Sequence, residues 1–278
     1  MNKKCDLHTH SIFSDGTCTP TEIIERAIKI DLAAVALCDH NTVDGIPEFL
    51  SAAREKNIEA IAGAEFSVDY NGTELHLLGL YISEKMLSQV SNLMTDVNIR
   101  KEESNIALVK SLNNAGYSIN YSDLKSKSPN GKINRAQIAA ELTAKGYTES
   151  IKNAFETVLS KNAGHYIEPK RITVFEIIKF IKSIGAVPIL AHPFLNLSEK
   201  ELIDFIPLAK KHGLAGMECF YSLYNQDLTN KSVAIATHFD LKQSGGSDFH
   251  GTNKPDINLG VGKDNLSIPY ELAKIIKP

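Results

Sequence analysis

Apolar runs typical of β-strands alternate with amphipathic helical segments through the first 84 residues of this 278-residue chain. Two of these runs, CDLHTH and AAVALCDH, predict strands. Between them, TPTEIIERAIKI predicts a helix that opens with a capping box of Thr19 and Glu22 around Pro20. The next two strands, IEAIAGAEFSV and TELHLLGLYI, are joined through Asn71-Gly72, which is a hairpin turn signal.

The same alternation resumes after residue 165. Predicted helices end at Gly185 and Gly213, and the strands that follow or separate them read VPILAHP, LAGMECFYS and LKQSGGSDFH. Repeated strand-then-helix units predict an α/β protein with a parallel sheet, either open or closed into a barrel.

The middle of the chain, residues 85–164, has few strand signals and helical periodicity. It predicts a long helix up to Gly116, then a polar loop, SDLKSKSPNGK, and two further helices, RAQIAAELTAKG and TESIKNAFETVLSK. The segment has 11 Lys and Arg against 7 Asp and Glu, whereas the rest of the chain has 19 against 26. We therefore predict a helical insertion, or cap domain, in an α/β domain of residues 1–84 and 165–278. Its basic charge indicates either an anionic substrate or simply soluble lysine-rich helices.

Three sequence features bear on the cellular compartment of the protein: the length of its apolar runs, its N-terminus and the spacing of its cysteines. No apolar run approaches the roughly 20 residues of a membrane-spanning helix, and no signal peptide follows the first lysines. The four cysteines, Cys5, Cys18, Cys38 and Cys219, show no paired or framework spacing, which is typical of a reducing compartment. We expect a cytoplasmic protein without membrane contact, and no obligate protein partner is evident.

Side chains that bind metal ions stand in, or just after, most of the predicted strands. One histidine at such a position is more often structural, but parallel strands gather their carboxyl ends at one face, where active sites form. Together these residues predict a polynuclear metal site made of His8, His10, Asp15, His40, Glu65, His76, His192, Asp248 and His250.

Three further histidines fall outside this set. His212 occupies the last turn of a predicted helix, where an imidazole interacts favourably with the helix dipole, and His238 lies late in another helix. We interpret both as structural. His165, in NAGHYIEP at the end of the basic insertion, is a candidate substrate contact.

Four motifs together resemble the PHP domain family, the polymerase-and-histidinol-phosphatase superfamily that is related to the amidohydrolases. They read HTHSIFSDG, CDHNTVDG, GAEFS with ELHLLG, and AHP with GGSDFHG, and they extend from Cys5 to Gly251. The resemblance implies a distorted (β/α)7 barrel with a helical insertion. Barrel closure is implied by the resemblance alone.

The resemblance also implies that three divalent ions share the nine side chains. One ion would take His8, His10, Glu65 and Asp248; Glu65 would bridge to a second ion, with His76 and His192; and the third would take Asp15, His40 and His250. Nine ligands with one bridging carboxylate give about three or four contacts per ion, which leaves positions for water and substrate. Imidazole with carboxylate suits Mn²⁺, our first expectation, or Fe²⁺ or Zn²⁺.

Such a site predicts a metal-dependent phosphoesterase. A water between two divalent ions is pushed towards hydroxide, and the ions neutralise charge on phosphoryl oxygens. Our hypothesis is in-line attack of a metal-bridging hydroxide on a phosphate monoester, with Asp248 or His192 protonating the leaving oxygen. We find no persuasive Ser/His/Asp or Cys/His nucleophile arrangement in the sequence.

The insertion resembles the family branch that removes the 3′-phosphate of nucleoside 3′,5′-bisphosphates, some members of which trim short RNA from its 5′ end. There, an arginine at the start of an insertion helix grips the substrate's other phosphate, and Arg135 in INRAQIAAEL matches it. Arg135 as an ordinary surface residue is the alternative. Ala163 replaces a frequent lysine, which would leave phosphate contact to Lys161 or His165, and Tyr224 replaces a frequent histidine.

Other functions stay open at this point. A phosphatase for another small molecule, such as histidinol phosphate, or a cyclic-phosphate diesterase would depend less on Arg135. Amide hydrolysis follows from the relationship to amidohydrolases. The least expected function is a non-catalytic metal-binding module like those of some polymerases, because such modules tend to lose ligands and all nine positions are filled here.

Overall fold

A computed structural model describes residues 3–128, 131, 133–169 and 171–278. The strands of the described residues are β1 (Lys4–Thr9), β2 (Leu32–Leu37), β3 (Glu59–Tyr70), β4 (Thr73–Leu80), β5 (Val187–Leu190), β6 (Gly216–Tyr221) and β7 (Lys242–Gly246). The helices are α1 (Pro20–Lys29), α2 (Ile46–Lys56), α3 (Leu87–Asn114), α4 (Tyr121–Lys127), α5 (Arg135–Ala144), α6 (Ile151–Glu156), α7 (Val174–Ser183), α8 (Glu199–His212), α9 (Gln226–His238) and α10 (Tyr270–Ile276).

The chain divides into two compact units. The first consists of Met1–Asn92 and Arg171–Pro278, and the second of Leu93–Lys170. The predicted domains, 1–84 with 165–278 and 85–164, have boundaries a few residues away from these. The domain assignment itself stays a prediction. None of the helices in the described part of the chain is long and apolar enough to cross a membrane.

The seven strands of the first unit form one sheet in the order in which they occur in the chain. Four neighbouring pairs are parallel, but β4 is antiparallel to both β3 and β5. The parallel pairing expected of repeated strand-helix units therefore does not extend to β4, whereas the hairpin predicted at Asn71-Gly72 is confirmed. The physical reason is the two-residue turn at Asn71-Gly72, where both residues have positive φ, because so short a connection can only return the chain antiparallel.

The sheet curls until its last strand meets its first. The backbone N–H of Asp248 donates to the carbonyl of His8 at 2.9 Å, and that of His10 donates to the carbonyl of Phe249 at 2.9 Å. Gly246 permits this approach, since a Cβ there would lie 2.2 Å from the Cβ of His8. The result is the nearly closed seven-stranded barrel that the resemblance implied, surrounded by helices.

Alternate strand residues build the barrel core, as the period of two requires. Leu7, Ala36, Ile61 and Leu78 are buried in one cluster, and α10 packs into the same cluster through Ile276. The capping box of α1 is also confirmed, because Thr19 and Glu22 exchange side-chain-to-backbone hydrogen bonds. The buried contacts among the strands and α10 hold the strand ends in fixed positions.

The second unit has its own core of helices. Leu108 and Leu112 of α3 are buried with Ile138 and Leu142 of α5. The prediction of a polar loop for SDLKSKSPNGK is wrong over α4, which Asn120 caps and whose Leu124 is buried. One buried leucine behind a good cap is enough for a short helix in tertiary context. The predicted loop residues 129, 130 and 132 lie outside the described residues.

Candidate metal centre

Two histidines and a carboxylate meet at the centre of the site. His8 lies in β1, His10 follows it directly, and Glu65 comes from the middle of β3. Nε2 of His8 and Nε2 of His10 are 3.0 Å apart, and each lies 3.3 Å from Glu65 Oε2. All three side chains are fully buried. Two imidazole nitrogens and a carboxylate oxygen therefore converge on one point.

Asp248 approaches the same point from the end of β7. Its Oδ1 lies 3.1 Å from Nε2 of His10 and 3.7 Å from Nε2 of His8. Its other oxygen, Oδ2, accepts hydrogen bonds from the Tyr221 hydroxyl at 2.9 Å and the Lys254 ammonium at 2.6 Å. These two donors occupy Oδ2 and leave Oδ1 directed at the histidines.

The Glu65 carboxylate also contacts three more histidines. Its Oε1 lies 2.8 Å from Nδ1 of His76 and 3.0 Å from Nε2 of His192. Its Oε2 lies 3.2 Å from Nδ1 of His40. One carboxylate thus stands between two groups of imidazoles, an arrangement typical of a bridging ligand.

Asp15 gathers the remaining predicted ligands. It lies 3.2 Å from Nε2 of His250 and 3.7 Å from Nε2 of His40, and also 3.7 Å from Nδ1 of His10. His10 therefore lies close to two clusters of possible metal ligands, one that contains Asp15 and one that contains Glu65. All nine predicted ligands are brought together in the first unit.

Three buried ligand atoms have no hydrogen-bond partner among the described residues: His10 Nδ1, His40 Nδ1 and Glu65 Oε2. An unsatisfied buried polar atom costs free energy, so native proteins rarely leave one without a purpose. A cation would satisfy all three. The donor set, imidazole with carboxylate and no thiolate, is one that divalent transition metals accept. These residues therefore fit divalent metal ions.

The electrostatics of the site favour positive charge. Burial raises the pKa of Glu65, but the nearby histidines, His40 first, hold it well below its usual range. Burial lowers the pKa of His76 and His10, yet their carboxylate neighbours dominate and raise these pKa values to about 10 and about 9. Burial lowers the pKa of His40 to about 3, so this imidazole is neutral and able to coordinate.

A comparison with models of protein families found one that matches more than half of this chain. The model of the PHP domain matches residues 6–171. The chain belongs to the PHP domain family.

The chain is similar over most of its length to several named proteins. The chain is 32% identical to a 5′-3′ exoribonuclease of Haemophilus influenzae, over 90% of this chain and 91% of the relative. It is 28% identical to a 3′,5′-nucleoside bisphosphate phosphatase of Chromobacterium violaceum, over 98% of each. The solved structure of a predicted metal-dependent phosphoesterase from Bifidobacterium adolescentis matches with a TM-score of 0.85 and 27% identity, covering 99% of this chain and 95% of that one. This PHP protein is a metal-dependent hydrolase of phosphoester bonds.

Several side chains that support the PHP site were not predicted from the sequence. Glu218 is fully buried and contacts His8 and the backbone of His192. Its signal was available, because a carboxylate in the otherwise apolar strand GMECFY needs a partner. Lys254 carried no such signal, since it stands six residues after Asp248 in a polar loop.

The first loop is held by another unpredicted carboxylate. Asp39 accepts hydrogen bonds from the backbone N–H of Ser11 at 2.8 Å, from its hydroxyl at 2.6 Å and from the Ser14 hydroxyl at 2.5 Å. These bonds fix the turn that carries Asp15. Asp39 therefore orients a predicted ligand without facing the centre of the site.

The three predicted substrate contacts, Arg135, Lys161 and His165, lie in the second unit. The Arg135 guanidinium stacks 4.2 Å from the ring centroid of Tyr166. Nδ1 of His165 lies 2.9 Å from a serine hydroxyl, that of Ser111. Lys161 forms an ion pair of 2.9 Å with Glu168. Each of the three side chains therefore has a partner within its own unit.

Proposed function

We propose that this PHP phosphoesterase removes the 3′-phosphate from nucleoside 3′,5′-bisphosphates. The observation that carries the phosphoester chemistry is the convergence of five histidines on Glu65. The nucleotide substrate is supported by the full-length likeness to a bisphosphate phosphatase and to an exoribonuclease. Three cations suit a phosphate dianion better than a neutral amide, which ranks amide hydrolysis lower.

The proposed cofactors are three divalent ions, with Mn²⁺ first and Fe²⁺ or Zn²⁺ as alternatives. The proposed ligand sets are His8, His10, Glu65 and Asp248; Glu65, His76 and His192; and Asp15, His40 and His250. When bound, such ions lower the pKa of a coordinated water and neutralise charge on the phosphoryl oxygens.

The proton for the leaving oxygen has two candidate donors, His192 and Asp248. Burial raises the pKa of Asp248, but His250 and Lys254 hold it well below the usual range. Asp248 therefore stays ionised, as a metal ligand must, and is excluded as the donor. His192 is the remaining candidate, in a protonated state in which its ring does not coordinate a metal ion.

Arg135 is the proposed contact for the substrate's 5′-phosphate. It is the first residue of α5, and its guanidinium lies against Tyr166 and, at 5.6 Å, Phe155. Stacking fixes the plane of a guanidinium while its edge can still donate two parallel hydrogen bonds to a phosphate. His165 and Lys161 are proposed as further contacts, although Lys161 would have to leave Glu168.

Short 5′-phosphorylated RNA is a second proposed substrate. The relative from Haemophilus influenzae, which is similar over nine-tenths of the chain, bears the name of a 5′-3′ exoribonuclease. A terminal 5′-phosphate would use the same arginine as the 5′-phosphate of a bisphosphate. One recognition group would then serve both reactions.

The proposed setting is the cytoplasm, with no obligate protein partner. All four cysteines are free and buried. Burial raises the pKa of Cys5 and of Cys219 to about 12, which keeps both as unreactive thiols. Cysteines without disulfide bonds fit a reducing compartment.

The experiment that tests this proposal is phosphate release from Mn²⁺-loaded protein. The substrates are adenosine 3′,5′-bisphosphate, 3′-AMP, 5′-AMP, histidinol phosphate and a short 5′-phosphorylated RNA. We expect the bisphosphate to be hydrolysed with a kcat/KM well above that of 3′-AMP, because a second phosphate is recognised. Equal kcat/KM for the two nucleotides would overturn the substrate assignment, and a preference for histidinol phosphate would replace it.

A further inference from the structure

A buried carboxylate outside the proposed ligand set links two of the proposed ligands. Glu218 lies in β6 and is fully buried. Its Oε1 lies 3.0 Å from Nδ1 of His8, and its Oε2 accepts a hydrogen bond of 2.8 Å from the backbone N–H of His192. We infer that Glu218 is a positioning residue that fixes both histidines for metal binding. The inference rests on the proposed metal ligation and is independent of the substrate.

The contact with His8 decides which ring nitrogen faces the centre of the site. A carboxylate accepts hydrogen bonds, so Nδ1 of His8 carries the proton and donates to Glu218. The lone pair then lies on Nε2, which is 3.3 Å from Glu65 and 3.7 Å from Asp248. Carboxylates paired in this way with the far nitrogen of a metal-binding histidine fix its tautomer and ring orientation.

The contact with His192 acts through the backbone. His192 has φ of +26° and ψ of 54°, in the left-handed region that costs energy for a residue other than glycine. The N–H that donates to Glu218 stabilises this conformation. The same conformation places Nε2 of His192 3.0 Å from Oε1 of Glu65. Glu218 thus holds a strained residue where its side chain can bind a metal.

In the proposed ligand sets, His8 and His192 belong to different ions. One carboxylate therefore supports two ion sites at once, and its loss should weaken both sites together. The rings of His8 and His192 lie nearly parallel, with centroids 5.8 Å apart, so the two side chains supported by Glu218 are neighbours.

Glu218→Gln is the sharpest variant because it changes almost no volume. A carboxylate accepts at both oxygens, whereas an amide accepts at one end and donates at the other. No orientation of glutamine can therefore accept from both His8 and His192. With its NH₂ group towards His8 it forces the proton onto Nε2, and with its NH₂ group towards His192 it opposes an N–H.

The test is metal affinity, measured by chelator competition for Mn²⁺ and Zn²⁺. We expect Glu218→Gln to bind roughly 10–100-fold more weakly, the usual cost of losing such a partner. Glu218→Asp keeps both acceptors on a shorter chain and should fall between. Glu199→Gln, which removes only an exposed ion pair with Lys231, is the matched control and should bind as the wild type does. Wild-type affinity in a folded Glu218→Gln protein would overturn the inference.

A second measurement needs no variant of Glu218, in case that variant does not fold. In Zn²⁺-loaded wild-type protein labelled with ¹⁵N-histidine, His8 should show a proton on Nδ1 and the metal on Nε2. The reverse pattern would overturn the inference. Because neither readout involves substrate, a failed substrate panel would leave Glu218 as a positioning residue, and a failed affinity test would leave the proposed reaction standing.

Discussion

Oε1 of Glu65 lies 2.8 Å from Nδ1 of His76, its diagonal neighbour in the hairpin of β3 and β4, where Glu65 pairs with Leu78 and His76 with Ser67. The tight turn at Asn71-Gly72 sets the register that brings the carboxylate and the imidazole together. The Glu65 carboxylate also contacts four other histidines. Its Oε2 faces His8, His10 and His40, and its Oε1 faces His192 as well as His76.

Replacing Glu65 by glutamine should therefore damage the site most. The amide removes the negative charge and turns N–H groups towards nitrogen atoms that need an acceptor or a cation. We expect a loss of kcat/KM greater than the roughly 100-fold limit for the loss of an outer hydrogen-bond partner. Glu25→Gln, on the exposed face of α1, is the control and should retain wild-type activity. A Glu65→Gln enzyme with near-normal metal content and rate would refute the bridging role.

Metal binding should release protons and tighten as pH rises. In the metal-free protein the pKa values of His10 and His76 are about 9 and about 10, so both imidazoles are protonated at neutral pH. Protonated imidazole cannot coordinate, so a metal must displace these protons. The apparent affinity for Mn²⁺ should increase between pH 6.5 and 9. Chelator competition across this range measures it, and a flat profile would contradict the assignment.

The stability of the metal-free protein should change with pH in the opposite sense. The folded-state pKa values of His10 and His76 are raised above their ordinary value of 6.5. Their contribution to the free energy of unfolding is therefore complete below that pH and is lost as pH rises towards 9 and 10. Urea unfolding in the presence of a chelator should show the midpoint falling over this interval. A rising midpoint would show that these histidines are neutral in the folded protein.

Arg135→Ala should weaken the recognition of a second phosphate and spare the chemistry. A charge-assisted hydrogen-bond pair contributes about 1.5–3 kcal/mol, so kcat/KM for adenosine 3′,5′-bisphosphate should fall roughly 10- to 100-fold. The rate on 3′-AMP should hardly change. Arg54→Ala, an exposed arginine paired with Glu84, is the control. Equal losses on both nucleotides would mean that Arg135 supports folding rather than phosphate binding.

Removing Asp39 should loosen the loop that carries Asp15. Asp39→Ala leaves three donors on Ser11 and Ser14 without their acceptor, which should cost about 1–3 kcal/mol in the free energy of unfolding. Asp39→Asn keeps one acceptor and should cost less. Urea unfolding of both variants measures the difference. If Asp39→Ala were as stable as the wild type, the loop would be held by other contacts.

The barrel strands could be predicted because they rest on local pattern, and the same pattern places the proposed ligands near the strand ends. His8 and His10 share a face by the period of two, and the capping box of Thr19 marks the start of α1 without tertiary information. The hairpin signal at Asn71-Gly72 predicted the antiparallel pairing of β3 and β4, although the repeated strand-helix units indicate parallel strands.

Other features depend on contacts that no local pattern specifies. Glu218 meets His8 from 210 residues away, and Lys254 meets Asp248 only because the loop after β7 folds back. The helix α4 forms because Leu124 finds a core that its polar neighbours do not suggest. Tertiary contacts bring these residues together, and the local sequence preference for helix or strand does not indicate them.

The most direct test of the account is to titrate Mn²⁺ into chelator-stripped protein while measuring both bound metal and phosphate release from adenosine 3′,5′-bisphosphate. The account predicts no activity in the stripped protein and a rate that rises with loading until about three ions are bound per chain, the number that the resemblance implies and that about three or four contacts per ion allow. Full activity in stripped protein, or metal bound at the site without any phosphate release, would contradict it.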